Sequence, residues 1–366
     1  MSETQAFVPP GSVSADAVGS QSAVAVTTVA DREPQIGAPL LEVTDLVTHY
    51  PLRRGLIDTA ARRPRLRVHA VDGVSFRLDR GEMMALVGES GCGKTSTVQT
   101  ILGMVKPTSG AVRLNGTDIA GMADRQMRPL RRTVQMIYQD PYESLDPRFR
   151  VRQTVEEPML VHGIGSSSAD REQLAVSALE QAGLRPAELF LDRYPHELSG
   201  GQRQRVAIAA ALVLGPQLLL ADEPVSMLDV SVRAGVLSLL DSLRKDAEMG
   251  ILMITHDLST AAHFADKIAV MYLGRIVEQG TASEVVRNPQ HPYTKALLSV
   301  VPKRDPRDRS APQILTGETP DPILVPRGCR FNPRCPVAVD RCRTEDPALR
   351  EPAPAAIGHL AACHLA

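Results

Sequence analysis

The residues Gly88-Glu89-Ser90-Gly91-Cys92-Gly93-Lys94-Thr95, followed by Ser96, have the spacing of a loop that cradles phosphates. Its glycines let successive backbone N–H groups curl around phosphate oxygens at the start of a helix. In such a loop Lys94 reaches the outer phosphates of a nucleoside triphosphate, and the Thr95 hydroxyl ligates Mg²⁺. Cys92 fills a variable position of the pattern and reads as a small filler. Downstream, Leu218-Leu219-Leu220-Ala221-Asp222-Glu223 is an apolar strand ending in two acids. Asp222 there supports Mg²⁺ through water, and Glu223 can polarise an attacking water. An apolar run ending in Asp-Glu says little alone. After a complete phosphate loop it points to ATP hydrolysis.

These groups need elements to hold them. Met83–Val87 is wholly apolar and enters the loop, and the spacing predicts a helix from Gly93 to Met104. Leu218–Ala221 and Gly250–Ile254 read as two more buried strands, the latter ending in Thr255-His256-Asp257. Three buried strands with polar groups at their C-terminal ends predict an α/β nucleotide-binding core whose site lies at the strand ends. Leu41–Val47 and Val74–Leu78 alternate as edge strands do, with Arg53, Arg54 and Arg62–Arg67 in a basic loop or hairpin between them. Residues 150–198 read as mostly helical, with turns at Gly163–Ser168 and Gly183–Pro186, so a helical subdomain over about 150–215 is inserted between catalytic strands. Residues 1–38 lack any period and read as a disordered leader. From Pro302 the composition turns rich in Pro, Arg and Asp, which separates a C-terminal appendage, 302–366, from an ATPase domain over 39–301.

The bulk composition excludes some partners. Of 366 residues, 43% are hydrophobic, enough for a sizeable core, while 3% are aromatic and Trp is absent. That argues against a stacking surface for single-stranded nucleic acid, and a net charge of −1 against a polyanion binder. The longest apolar run, Val206–Leu214, is nine residues, where a spanning helix needs about 20. Met1-Ser2-Glu3-Thr4 does not start like a signal peptide. The chain is expected to stay in the cytoplasm and to reach a membrane only through a partner.

Leu198-Ser199-Gly200-Gly201-Gln202-Arg203-Gln204-Arg205, just before the acidic strand, completes a set that resembles the ABC (ATP-binding cassette) superfamily. The Ser199 hydroxyl and the glycine backbone at a helix start form an anion-binding end. The resemblance implies that Ser199, Gly201 and Gln202 face the γ-phosphate held by a second cassette, with two ATP molecules sandwiched between two chains. It implies an ABC-type phosphate-loop core with an antiparallel β subdomain, the inserted helical subdomain and a small Cys-containing C-terminal domain. Gln139 takes the place of the loop glutamine that joins Mg²⁺ and water to the membrane-facing surface. His256 takes the place of the switch histidine contacting the γ-phosphate. Asp229, in Ser226-Met227-Leu228-Asp229, lies in the loop that signals across the dimer, with Met227 where the family usually has alanine. Tyr50 is placed to stack on adenine, although an aromatic ending a strand can also be plain packing. The implied Mg²⁺ ligands are Thr95, Gln139 and Asp222, and the implied catalytic groups are Glu223, His256 and Gln139.

A narrower resemblance rests on Tyr138-Gln139-Asp140-Pro141-Tyr142-Glu143-Ser144-Leu145-Asp146-Pro147-Arg148, on His291-Pro292-Tyr293-Thr294 and on the cysteine-bearing tail. Together these are similar to the ATPases of oligopeptide/dipeptide importers, and Tyr50-Pro51 with the arginine excursion resembles the one conventionally lettered F. The resemblance implies two ATPases beneath two permease subunits at the cytoplasmic face of the membrane, served indirectly by an extracytoplasmic binding protein. Nickel and glutathione importers share nearly all these features. A more remote alternative is a soluble ABC ATPase acting on nucleic acid or ribosomes, against which stand a single cassette and the absence of a heptad run. Cys329, Cys335, Cys342 and Cys363 are spaced C-x5-C-x6-C-x20-C, unlike the paired C-x2-C of a zinc ribbon. The spacing suits a four-cysteine [4Fe-4S] cluster, and the resemblance points the same way. Zinc, helped by His359 or His364, and unliganded buried thiols are the alternatives.

Overall fold

The computed structural model describes residues 38–52, 65–301, 313–315, 317–352 and 358–366. The expected leader, apart from Ala38, and most of the arginine excursion lie outside the described residues. The strands run in order β1 (Leu41–Pro51), β2 (Arg67–Leu78), β3 (Met83–Val87), β4 (Ser109–Leu114), β5 (Thr117–Asp118), β6 (Val134–Ile137), β7 (Leu218–Asp222), β8 (Gly250–Thr255), β9 (Lys267–Tyr272), β10 (Arg275–Thr281) and β11 (Leu360–Ala361).

Two sheets result. A seven-stranded sheet has the order β11-β10-β9-β3-β8-β7-β6. Its strands from β9 through β6 pair in parallel, and β10 and β11 add antiparallel edges. The three strands expected to be buried, β3, β8 and β7, are adjacent at its centre and wholly buried. Period-2 alternation divides their side chains between two cores. Met83, Ala85 and Val87 face one side with the helical insertion, while Met84 and Leu86 face the other with the second sheet.

The second sheet is antiparallel, in the order β2-β1-β4-β5. Here the structure corrects an expectation. β1 lies between β2 and β4 rather than at an edge. Alternation of Leu41, Val43 and Leu46 reports that one face is buried, and it carries no count of neighbouring strands.

The insertion follows its sequence signals. Helices occupy Val151–His162, Ser168–Gln181 and Gly200–Leu212, with turns near Gly163 and Gly183. The phosphate-loop helix, Lys94–Ile101, ends three residues short of the expected Met104. The tail does not stand apart from the ATPase core: β11 pairs with β10, and Phe331 packs on Tyr272 and Tyr293 with ring centroids 5.2 and 5.4 Å away. His359 in the tail places Nε2 2.8 Å from Oε1 of the fully buried Glu278 in β10. Among the described residues no helix is long and apolar enough to cross a membrane.

Candidate functional site: a phosphate cleft at the strand ends

β3 delivers the loop Gly88–Thr95 between its two neighbouring elements, and two glycines make that passage possible. A Cβ on Gly88 would lie 2.2 Å from the Met271 carbonyl oxygen, and one on Gly93 would lie 2.0 Å from that of Ala70. Gly93 also has φ of 109°, which other residues avoid. The loop is therefore clamped by β2 on one side and β9 on the other. Lys94, itself buried, donates from Nζ to the carbonyls of Gly88 (2.7 Å) and Glu89 (3.0 Å) and arches over the loop.

The acids arrive on β7. Thr95 Oγ1 donates to Asp222 Oδ2 at 3.0 Å, so the hydroxyl and the carboxylate expected to share Mg²⁺ are in contact. Burial pushes the Asp222 carboxyl up from its ordinary range, the Glu223 charge pushes it further, and Thr95 and Lys94 oppose the rise. A divalent cation at this corner would relieve that strain, so the donor set fits Mg²⁺. Glu223 sits at φ 44° with its N–H bonded to the Ile254 carbonyl at 2.9 Å, an uncommon conformation for a non-glycine residue. Its Oε2 meets both Gln139 Nε2 (3.2 Å) and His256 Nδ1 (3.1 Å). Two residues read separately from the sequence thus converge on one oxygen of a third, Glu223.

The space around them is a cleft of about 630 Å³ lined by Tyr50, Ser90, Gly91, Lys94, Thr95, Ser96, Gln139, Glu223 and His256, among others. Tyr50, near the end of β1, lines the cleft. Cys92 is buried beside Lys94, and burial raises its thiol pKa, in keeping with a filler. Sequence reasoning missed part of the lining. Val68 and Ala70 come from β2, and Pro322 comes from the tail. Single apolar residues of this kind leave no local signal.

Ser199 and Gln202 behave differently. They cap the helix Gly200–Leu212 reciprocally: Ser199 N–H donates to Gln202 Oε1 (2.9 Å) and Gln202 N–H to Ser199 Oγ (3.3 Å). No residue of Leu198–Arg205, Gly201 included, lines the cleft of its own chain.

All four tail cysteines are buried or half-buried. Burial pushes the Cys329 thiol up to about 11, and the thiols of Cys342, Cys335 and Cys363 add to the rise. Among the described residues, no three of these sulfurs lie within 4.8 Å of one another. His359 is committed to Glu278, and His364 Nε2 lies 2.9 Å from the Glu345 carbonyl oxygen, so neither expected zinc helper is spare at these atoms.

A phosphate loop on β3, paired acids on β7, a histidine after β8 and a capped signature helix define an ABC-type ATPase cassette. Comparisons with known proteins agree. The ABC transporter family profile matches residues 71–226, and that of the oligopeptide/dipeptide transporter C-terminal region matches 277–342. The dipeptide transport ATP-binding protein DppF of Haemophilus influenzae is 46% identical over 321 residues, 87% of this chain and 95% of that protein. The oligopeptide transport ATP-binding protein AppF of Bacillus subtilis is 43% identical over 89% of this chain and 97% of its own length. Among solved structures, a bacterial ABC transporter cassette captured as a dimer matches with a TM-score of 0.57 and 27% identity, over 66% of this chain and 98% of that one. The cbiO1 cassette of Clostridium perfringens, part of a cbiONQ transporter complex, matches with a TM-score of 0.58 and 28% identity over 68% of this chain and 91% of its own. The chain belongs to the ATP-binding subunits of the oligopeptide/dipeptide ABC transporter family.

Proposed function

We propose that this chain hydrolyses ATP to drive import of dipeptides and oligopeptides, as one half of a cassette pair beneath two permease subunits at the cytoplasmic face of the membrane. The observation that carries the proposal is the convergence of Gln139, His256 and the Thr95–Asp222 pair around Glu223 at the mouth of the cleft. Glu223 orients a water on the γ-phosphorus and takes its proton as the new P–O bond forms and the bond to the bridging oxygen breaks. Lys94 leaves its loop carbonyls for the phosphate oxygens, and Tyr50 stacks on the base. His256 and Gln139 sense the γ-phosphate from the same carboxylate. Mg²⁺, when held by Thr95, Asp222 and Gln139, supplies charge neutralisation to the phosphates. Ser199, Gly201 and Gln202 serve the nucleotide of the second cassette.

A surface hollow of about 660 Å³ begins just past Gln139 and is lined by Tyr142, Asp146, Arg148, Phe149, Thr154 and Glu157, among others. It supports the permease reading, because a subunit seated there would touch the segment that carries the glutamine. An indirect extracytoplasmic binding protein and the absence of nucleic acid belong to the same reading. Peptide cargo is supported by the relatives' names and by the tail. The test is uptake by the complex reconstituted with its permease and binding protein. ATP-dependent accumulation of short peptides is expected, and accumulation of nickel or glutathione without peptides would overturn the cargo.

We further propose that Cys329, Cys335, Cys342 and Cys363 hold a [4Fe-4S] cluster. The spacing C-x5-C-x6-C-x20-C, unlike the paired C-x2-C of a zinc ribbon, supports a polynuclear centre over a single zinc. The Leu365 N–H lies 3.4 Å from Cys363 Sγ, the kind of donor that tunes cluster thiolates. Anaerobically purified protein is expected to be brown with iron and sulfide in equal amounts, the colour lost in Cys335→Ser. Colourless protein with stoichiometric zinc would contradict this.

A further inference from the structure

The phosphate loop contains an acid, and an acid beside bound phosphates is an electrostatic liability. Glu89 is the second residue of the loop, and among the described residues its carboxylate is held from the tail. Arg334 NH1 lies 2.8 Å from Oε2 and NH2 lies 3.3 Å from Oε1, a two-pronged pair across 245 residues of sequence. Thr319 Oγ1 donates to the same Oε2 at 2.9 Å. The Arg334 side chain is only 8% exposed, so the pair is shielded from solvent and salt on its cationic side.

The rest of Glu89 is tied into the same junction. Its N–H donates to the Tyr293 hydroxyl at 2.9 Å, and Tyr293 stands in the aromatic group with Tyr272 and Phe331 of the tail. Its carbonyl accepts the Lys94 ammonium at 3.0 Å. A path of direct contacts therefore runs from the tail through Arg334 and Glu89 to the lysine placed for phosphate. Two neighbouring contacts brace it. Arg330 donates to the Leu273 carbonyl and pairs with Asp72, and the Pro322 carbonyl accepts the His69 N–H at 2.9 Å while Pro322 lines the cleft.

We propose that Arg334 is a positioning residue of the nucleotide site. It neutralises Glu89 and fixes the phosphate loop, so nucleotide affinity depends on a residue of the C-terminal region. The inference rests on the reading of the cleft as an ATP site. Removing the guanidinium leaves Glu89 charged and poorly held, one residue before Ser90 of the cleft lining. Removing both charges takes the repulsion away.

That sign pattern is the test. A fluorescent ATP analogue is titrated against purified full-length wild type, Arg334→Gln, Glu89→Gln, the double variant and Arg334→Lys. Arg334→Gln is expected to weaken binding about tenfold, the size of one buried charge interaction. The double variant is expected to bind more tightly than Arg334→Gln, because the second substitution removes the unneutralised charge that the first leaves behind. Arg334→Lys, which keeps the charge and loses the fork, should fall between wild type and Arg334→Gln. A tail that merely props the fold would leave the double variant as weak as Arg334→Gln, and that result would overturn the inference. Unchanged binding in Arg334→Gln would overturn it too. Wild-type protein that binds no nucleotide would instead refute the ATP-site reading itself.

Discussion

Two helices in this chain begin with sequences made for phosphate, and they start in opposite states. The helix Lys94–Ile101 begins at Gly93 with no side chain on its N-terminal donors, and it opens into the cleft beside Glu223. The helix Gly200–Leu212 begins at Ser199, and a reciprocal pair with Gln202 already occupies two of its end donors, the N–H groups of Ser199 and Gln202. Both carry the positive end of a helix dipole. The first opens into the cleft described above, which no residue of Leu198–Arg205 lines. The second is satisfied enough to stay ordered alone, yet one capping bond is readily exchanged for a bond to phosphate. On the function proposed above, one chain builds one nearly complete cradle and one spare end, and the spare end gains its anion from another cassette. The dimeric capture of a related cassette agrees with that division.

The comparison can be broken at either helix. Lys94→Ala removes the cation of the first end, and nucleotide affinity should fall about a hundredfold or more, since a charge-assisted contact to phosphate is lost along with its neutralisation. Affinity that stays within a few-fold would mean that the cleft is not the nucleotide site. Ser199→Arg fills the second end with a bulky cation. Turnover should drop about tenfold or more, while the isolated chain binds nucleotide within about twofold of wild type. Equal losses of affinity in the two variants would show that both helix ends serve the same nucleotide, and the distinction drawn above would fail.

Legibility followed distance along the chain. The loop Gly88–Thr95 is contiguous, so its geometry could be read from spacing alone. Thr95 and Asp222 are 127 residues apart and still meet as expected, because Thr95 opens the helix reached by the loop from β3, Asp222 ends β7, and β3, β8 and β7 lie side by side in one sheet. The junction with the tail was illegible. Arg334 looked like one basic residue in a Pro- and Arg-rich appendage, and nothing near it in sequence names Glu89. The two residues of β11 are too few to show any period, which is why the tail read as separate when it extends the main sheet. β1 was misplaced at an edge for a related reason. Its register shifts between Val43 and Leu46 interrupt the alternation, and side-chain pattern reports burial of a face rather than pairing of a backbone.

Pairing of two cassettes is the central claim, and Glu223→Gln examines it most directly. The amide cannot take the proton, so turnover should fall about a thousandfold, while the space for ATP stays intact. Light scattering on this variant, mixed with its partner ATPase and Mg²⁺, should show a stable pair that forms on addition of ATP and is absent with ADP. Adding Ser199→Arg to the same chain should abolish the pair. A monomer at every ATP concentration, with turnover at the wild-type rate, would contradict the account.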